Sequence, residues 1–324
     1  MVTRRSFLQL VVGLGGAMVD QNFARQGRVD GELVDLLSDR TRALRAGATE
    51  LVLPLISSLE RHCRLLCDLL ATAAPEYRQA IGRMAAESAW MAANAHSDNS
   101  DDQQSLYWGK TAARLAGMIG DHDLRAHAIS RISRTYLSLG DAERALAAAE
   151  RADLTRTSAY GRARIEVHRA LAFARLESHS FRARTTQALT ALDAAREALR
   201  SPQDPRPDWV WWSDDAAYVT SWEAEVLRSL AIPDLAVPVF RSALLTAAHD
   251  DVRESPFLQA GLAEVIAQGG DLATATDEAI RAIVLAKAVG AEAALGRVRQ
   301  VYRIVSERAP ASRYARSLRE ALSS

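Results

Sequence analysis

From residue 31 onward, apolar positions recur at intervals of three and four. In GELVDLLSDRTRAL they fall at Leu33, Leu36, Leu37 and Leu44, with charged residues between them. That spacing puts one stripe of a helix against a core. A longer apolar-rich helix is predicted over ATELVLPLISSLERHCRLLCDLLATAA, bent at Pro54, where the ring removes a donor and crowds the preceding turn. Nowhere do valine and isoleucine alternate with polar residues over a strand-length segment bounded by turn residues. The pattern predicts an all-α fold.

The helices also repeat. AISRISRTYLSLGDAERALAAAERA, from Ala128, and LQAGLAEVIAQGGDLATATDEAIRA, from Leu258, superpose at an offset of 130 residues. Ile132 then falls on Leu262, Tyr136 on Ile266, and Gly140-Asp141 on Gly270-Asp271. Ala145, Ala149 and Ala152 fall on Ala275, Ala279 and Ala282. In each copy the glycine suits the left-handed residue that ends one helix, and the aspartate caps the next. The alanines let the second helix pack closely on the first. Such pairs define a tetratricopeptide-like unit of about 34 residues.

Looser copies fill the remaining chain. TSWEAEVLRSLAIPDLAVPVFRSALLTA has a shortened turn and places Pro238 early in its second helix. In RALAFARLESHSFRARTTQALTALDAAREAL, His179-Ser180 replaces the Gly-Asp turn. Upstream, MAAESAWMAANAHSDNSDDQQSLYWGKTAARLAGMIGD reads as a pair with a long polar connection at residues 96 to 104. The predicted architecture is an α-solenoid of antiparallel helix pairs over residues 31–324. A break is expected at residues 201–208, where SPQDPRP concentrates prolines that no helix interior accommodates. Residues 1–30 stand apart as an N-terminal segment, poorly ordered or a short helix.

Composition narrows the function classes. The 40 basic and 40 acidic residues cancel, so bulk charge does not describe a chain built to grip nucleic acid or an anionic membrane. Only Lys110 and Lys287 are lysine; the other 38 basic residues are arginine, a bias that a GC-rich genome explains at most positions. The two cysteines, Cys63 and Cys67, lie four apart on one helix face, where the backbone disfavours a disulfide. His62 points about 100° away from Cys63, and the pair reads as small buried hydrophobes. No apolar run reaches the length that spans a bilayer, so no membrane anchor is expected.

No catalytic constellation emerges. There is no GxSxG elbow, and GLGG at residues 13 to 16 lacks the lysine and serine of a phosphate loop. His122 and Asp123 in GDHDLRAH suit helix capping or solvent contact. Neither enzymatic activity nor a cofactor is expected. Binding chemistry is better represented, because first helices of stacked pairs line a concave groove. If Ile132 and Tyr136 mark the packed stripe, then His127, Arg131 and Arg134 face that groove. Residues 125 to 200 hold 14 arginines against 8 acidic residues, with Arg162, Arg164 and Arg169 among them. Guanidinium forks there suit a carboxylate, a phosphate or an acidic peptide; the alternative is solvated faces and ion pairs with Glu143, Glu150 and Glu166. The cluster Trp209, Trp211, Trp212, Tyr218 and Trp222 is a second candidate, either a partner pocket or packing between lobes.

These landmarks, from DLLSDRTRALRAGATELVLPLISSLERHCRLL through GDHDLRAHAISRISRTYLSLGDAERALAAAERA to PDWVWWSDDAAYV and QAGLAEVIAQGGDLATATDEAIRAIVLA, resemble the C-terminal tetratricopeptide-like half of actinobacterial Xre-type helix-turn-helix transcription regulators. The resemblance covers residues 30 to 310 and rests on the order of landmarks. It implies a regulatory or ligand-sensing protein whose groove takes a peptide, a small molecule or a protein partner, with a homodimer left open. Here no helix-turn-helix pattern precedes the solenoid, so no specific DNA binding is expected of this chain alone. In that family an RR-F-L segment lies between the two domains. In VTRRSFLQLVVGLGG the same pattern, with Arg4 and Arg5, also matches a twin-arginine export signal. No A-x-A-like cleavage site follows; NFARQGR is a poor one. A cytoplasmic location is the expectation, with export by the twin-arginine route the alternative.

Overall fold

The computed structural model describes residues 29–48, 55–200, 215–247 and 254–323. All regular structure among these residues is helical, and the helices follow the predicted periods. The first four are α1 (Gly31–Ala48), α2 (Ile56–Thr72), α3 (Pro75–Asp98) and α4 (Asp102–Met118). The next five are α5 (His122–Ser138), α6 (Ala142–Ala149), α7 (Ala159–Arg175), α8 (Phe181–Arg200) and α9 (Asp215–Ser229). The last five are α10 (Pro233–Ala247), α11 (Glu254–Gly269), α12 (Leu272–Val289), α13 (Glu292–Arg308) and α14 (Arg313–Ser323).

Each odd-numbered helix packs on the next odd-numbered one, from α1 on α3 through α11 on α13. The even-numbered helices from α4 to α12 lie outside and pack on the odd helices before and after them in the chain, and α14 packs on α12 and α13. The result is an all-α solenoid of helix pairs, as the repeat predicts. Its inner wall curves back on itself, for α13 comes into contact with α3.

The turns show why the pairs form. Gly140 and Gly270 adopt left-handed backbone, with φ of 79° and 99°, where a Cβ would be strained. Asp141 then accepts the Arg144 N–H at 2.9 Å, and Asp271 the Thr274 N–H at 3.0 Å. The same device recurs at Gly120-Asp121, where Asp121 accepts from Leu124 N–H. At Ser100-Asp101 a serine takes the left-handed position and Asp101 accepts from Gln104 N–H. At residues 179–180, Ser180 Oγ accepts the Ala183 N–H.

Three expectations change in detail. The polar stretch at residues 96 to 104 is not a long connection: α3 continues to Asp98 and α4 begins at Asp102. His96 holds that last turn in place, its Nε2 lying 2.9 Å from Glu60 Oε1 on α2. Ala145 and Ala149 are buried as the repeat requires, but α6 stops at Ala149 and Ala152 falls in a loop. There the Asp153 carboxylate accepts from Thr155 N and Oγ1, a local bond that competes with helix propagation. Cys63 is buried, whereas Cys67 is half-buried. Hydrogen bonding from Cys63 brings the Cys67 thiol down to about 7. The bend at Pro54, the break at residues 201–208 and the segment before residue 29 lie outside the described residues.

Close approach of helices is decided at single positions. A Cβ on Gly261 of α11 would come within 2.6 Å and 2.7 Å of the Phe240 ring on α10. That ring is fully buried and has no space to retreat. Overpacking of this kind costs about 1–3 kcal/mol, against a gain of about 1 kcal/mol in helix propensity. Gly261→Ala is therefore expected to lower unfolding stability by about 1 kcal/mol, read as a lower urea midpoint at unchanged m-value.

Candidate functional site

The inner wall is tied together by arginines. On α5, Arg131 Nη1 donates to Ser97 Oγ of α3 at 3.1 Å. From α7, Arg164 Nε donates to Ser130 Oγ of α5 at 2.8 Å, and that hydroxyl passes its own proton to His127 O at 2.7 Å. Arg175, also on α7, bonds forward to Ser229 Oγ of α9 and back to Leu137 O of α5. Arg228 of α9 binds both oxygens of Glu264 on α11 at 3.1 and 3.2 Å. Arg297 of α13 grips both oxygens of Glu225 on α9 and also reaches Phe257 O of α11. Each consecutive pair of inner helices from α3 to α11 is thus joined by a guanidinium, and α13 is joined to both α9 and α11.

Burial would push the Glu225 carboxyl up, but Arg297 and Arg228 overrule it and hold it at about 2. Arg175 is lowered too, to about 10, by burial and by the neighbouring Arg228, which here disfavours the charged form.

These residues enclose a cavity of about 490 Å³ lined by six inner helices, α3 to α13. That is the size range of sites for small ligands. Trp90 and Asn94 face it from α3, and Gly296 and Arg297 from the opposite edge on α13. Along α9 the lining residues Trp222, Glu225 and Arg228 recur every third position, a single helix face.

Arg134 differs from the other wall arginines. Its guanidinium carbon sits 5.2 Å from the Trp222 ring centroid and 5.6 Å from that of Phe257. No hydrogen bond or carboxylate among the described residues engages that guanidinium. A cation held by two ring faces is fixed in place with its N–H edge still available.

Of the sequence candidates, Arg131, Arg134 and Arg164 come together on the cavity wall. His127 is fully buried behind it, packed against Trp90 with ring centroids 4.1 Å apart and the planes tilted at 45°. Arg162 turns to Thr157 O and Arg169 to Glu166; neither lines the cavity. Ile132 and Tyr136 face the outer side of the wall. Trp209, Trp211, Trp212, Arg4 and Arg5 lie outside the described residues. Sequence reasoning did not single out Arg175, Arg228, Arg297, Glu225, Glu264 or Phe257. The spacing of Trp222, Glu225 and Arg228 was the available signal, since three polar or aromatic residues in phase on a first helix belong to the concave side.

Three of the buried histidines, His62, His127 and His168, contribute to the acid response. His168 packs against Trp222 with ring centroids 4.6 Å apart and the planes tilted at 50°, and its Nδ1–H donates to Arg164 O at 2.8 Å. His62 pairs with Thr41 Oγ1. Burial lowers all three, with Arg164 and Arg131 adding to it at His127, Arg164 at His168, and Arg40 at His62, which falls to about 3. Above pH 6.5 these rings are neutral in folded and unfolded chain alike and contribute no pH dependence. Below it the unfolded chain takes up protons that the folded chain refuses. Stability is then expected to fall by up to about 1.4 kcal/mol per pH unit per histidine. Glu225 adds a further loss as pH drops from 4.5 toward 2. Urea midpoints measured from neutral to about pH 5 check the sign, and His62→Gln should flatten the slope.

Compared with known proteins, the chain matches no family model and no curated sequence.

Proposed function

We propose that this chain is a ligand-sensing helical-repeat module, without catalytic chemistry of its own, which holds a small carboxylate- or phosphate-bearing molecule, or a peptide terminus, in the central cavity. The observation that carries the reading is Arg134, clamped between Trp222 and Phe257 with its donor edge unengaged by the described residues. The neighbouring arginines are held in bonds between helices and shape the wall; Arg134 is placed to receive an anion, with the two rings as platforms for an apolar body. A ligand touching both α3 and α13 favours the closed arrangement of the array, and binding then shifts the solenoid's curvature. The resemblance to regulator solenoids supports a regulatory role in the cytoplasm. No helix among the described residues is long and apolar enough to cross a membrane.

Tryptophan fluorescence and calorimetry with small carboxylates, and with short peptides bearing free or amidated C termini, test the reading. A free-carboxylate probe is expected to bind and its amidated form not to. Arg134→Gln should weaken that binding about tenfold or more, the worth of a charge-assisted hydrogen bond. A Cβ at Gly296 meets no atom within 4 Å, so Gly296→Leu should fill the cavity and abolish binding without lowering the melting temperature. Unchanged binding in both variants would overturn the reading.

A further inference from the structure

A second groove lies on the outer side of the wall, between α4 and α6, with α5 as its floor. Its volume is about 410 Å³. Five cations line it: Lys110 and Arg114 from α4, Arg125 from α5, and Arg144 and Arg151 from α6 and the residues after it. No carboxylate lines it. The floor is apolar, formed by Ile129, Ile132 and the half-buried Tyr136.

This concentration stands out in a chain whose acidic and basic residues balance overall. Some exposed arginines elsewhere pair with acids one turn away, as Arg42 does with Asp39, Arg196 with Asp193 and Arg281 with Glu278; the groove is set apart by gathering five cations around one recess that no carboxylate lines. In the groove only Arg144 has such a partner among the described residues, Asp141 at 3.4 Å. Lys110 lies over the Tyr136 ring at 6.0 Å, and Arg114 contacts the Met118 sulfur. The Arg125 stem runs past Gly117, where a Cβ would stand 3.7 Å away. Neither Arg125 nor Arg151 forms an ion pair among the described residues.

The short α6 contributes to the opening. It carries Ala147 and Ala148 into the groove where larger side chains would fill it. A cleft with one sign of charge focuses its field and draws counter-charge into it. A recess of this size with cations on its rim suits a small polyanion.

We propose that this outer groove is a second ligand site, separate from the central cavity, for a phosphorylated small molecule with a planar apolar body. The phosphates meet the guanidinium and ammonium rim, and the planar portion lies on Ile132 and Tyr136.

Calorimetry at low ionic strength with ATP, pyrophosphate and adenosine tests this. With the central cavity filled by Gly296→Leu, one site is expected, with ATP binding more tightly than pyrophosphate and adenosine not binding. The double variant Arg125→Gln/Arg151→Gln removes two exposed cations that form no ion pair and should weaken ATP binding at least about tenfold. Ala147→Glu places a carboxylate among the cations; it should abolish binding while raising the melting temperature. Gly296→Leu, which fills the central cavity, should leave the outer groove's affinity for ATP unchanged, so failure at one site is distinguishable from failure at the other. No binding of ATP, equal binding by the outer-groove variants, or pyrophosphate binding as tightly as ATP would overturn the proposal. So would tight retention of an arbitrary DNA duplex that ATP displaces, which would make the groove part of a nucleic-acid surface.

Discussion

Taking a guanidinium group out of water is costly unless neighbours receive its N–H groups, and the inner wall is built around that cost. Arg131, Arg164, Arg175, Arg228 and Arg297 all enter the wall, and each finds its acceptor on another inner helix. The acceptors are serine hydroxyls, helix-end carbonyls and two glutamates. Because the acceptor sits on another helix, every such bond also specifies how those helices lie against one another. Alanine and leucine packing supplies the bulk of the core, but apolar contacts alone leave a solenoid free to slide and flex. The polar bonds fix the register of the wall.

The same ladder explains the shape of the cavity. Charged side chains that reach across to a neighbouring helix hold a polar interior open around about 490 Å³. The Glu225 carboxylate lies at the hub, gripped from its own helix by Arg228 and from α13 by Arg297. That second grip ties the last inner helix of the array to one two pairs earlier, near the place where α13 meets α3. A buried pair of this kind adds little net stability compared with apolar packing, yet removing one partner is costly. Its value here is in geometry, since it holds Trp222 and Phe257 beside Arg134.

The two sides of α5 have opposite characters. Toward the cavity it presents Arg131 and Arg134, and away from it Ile132 and Tyr136 under a basic rim. One helix therefore forms a wall shared by two different recesses. This division follows from the 100° step per residue, which sends consecutive positions to different faces.

The fold class, the helix pairs and the Gly-Asp turns were legible in the chain because they are local. Period, left-handed glycine and aspartate cap act within one turn of helix, and Gly140-Asp141 and Gly270-Asp271 behave as their residue types demand. Turn and element boundaries were less legible where a distant side chain intervened, as Glu60 does in holding His96 and prolonging α3. The site was legible only in part. Arg131, Arg134 and Arg164 belong to a locally basic stretch that composition exposes, but which of those arginines would face the cavity depended on rotation about each helix axis. Glu225, Phe257 and Arg297 lie far from them in sequence, and nothing local marks them as neighbours. By itself the sequence determined that helices would pair and stack. Only the tertiary structure decided that the stack would curve until α13 meets α3, because curvature is the sum of many small packing angles and long-range charge bonds that no short window of residues contains.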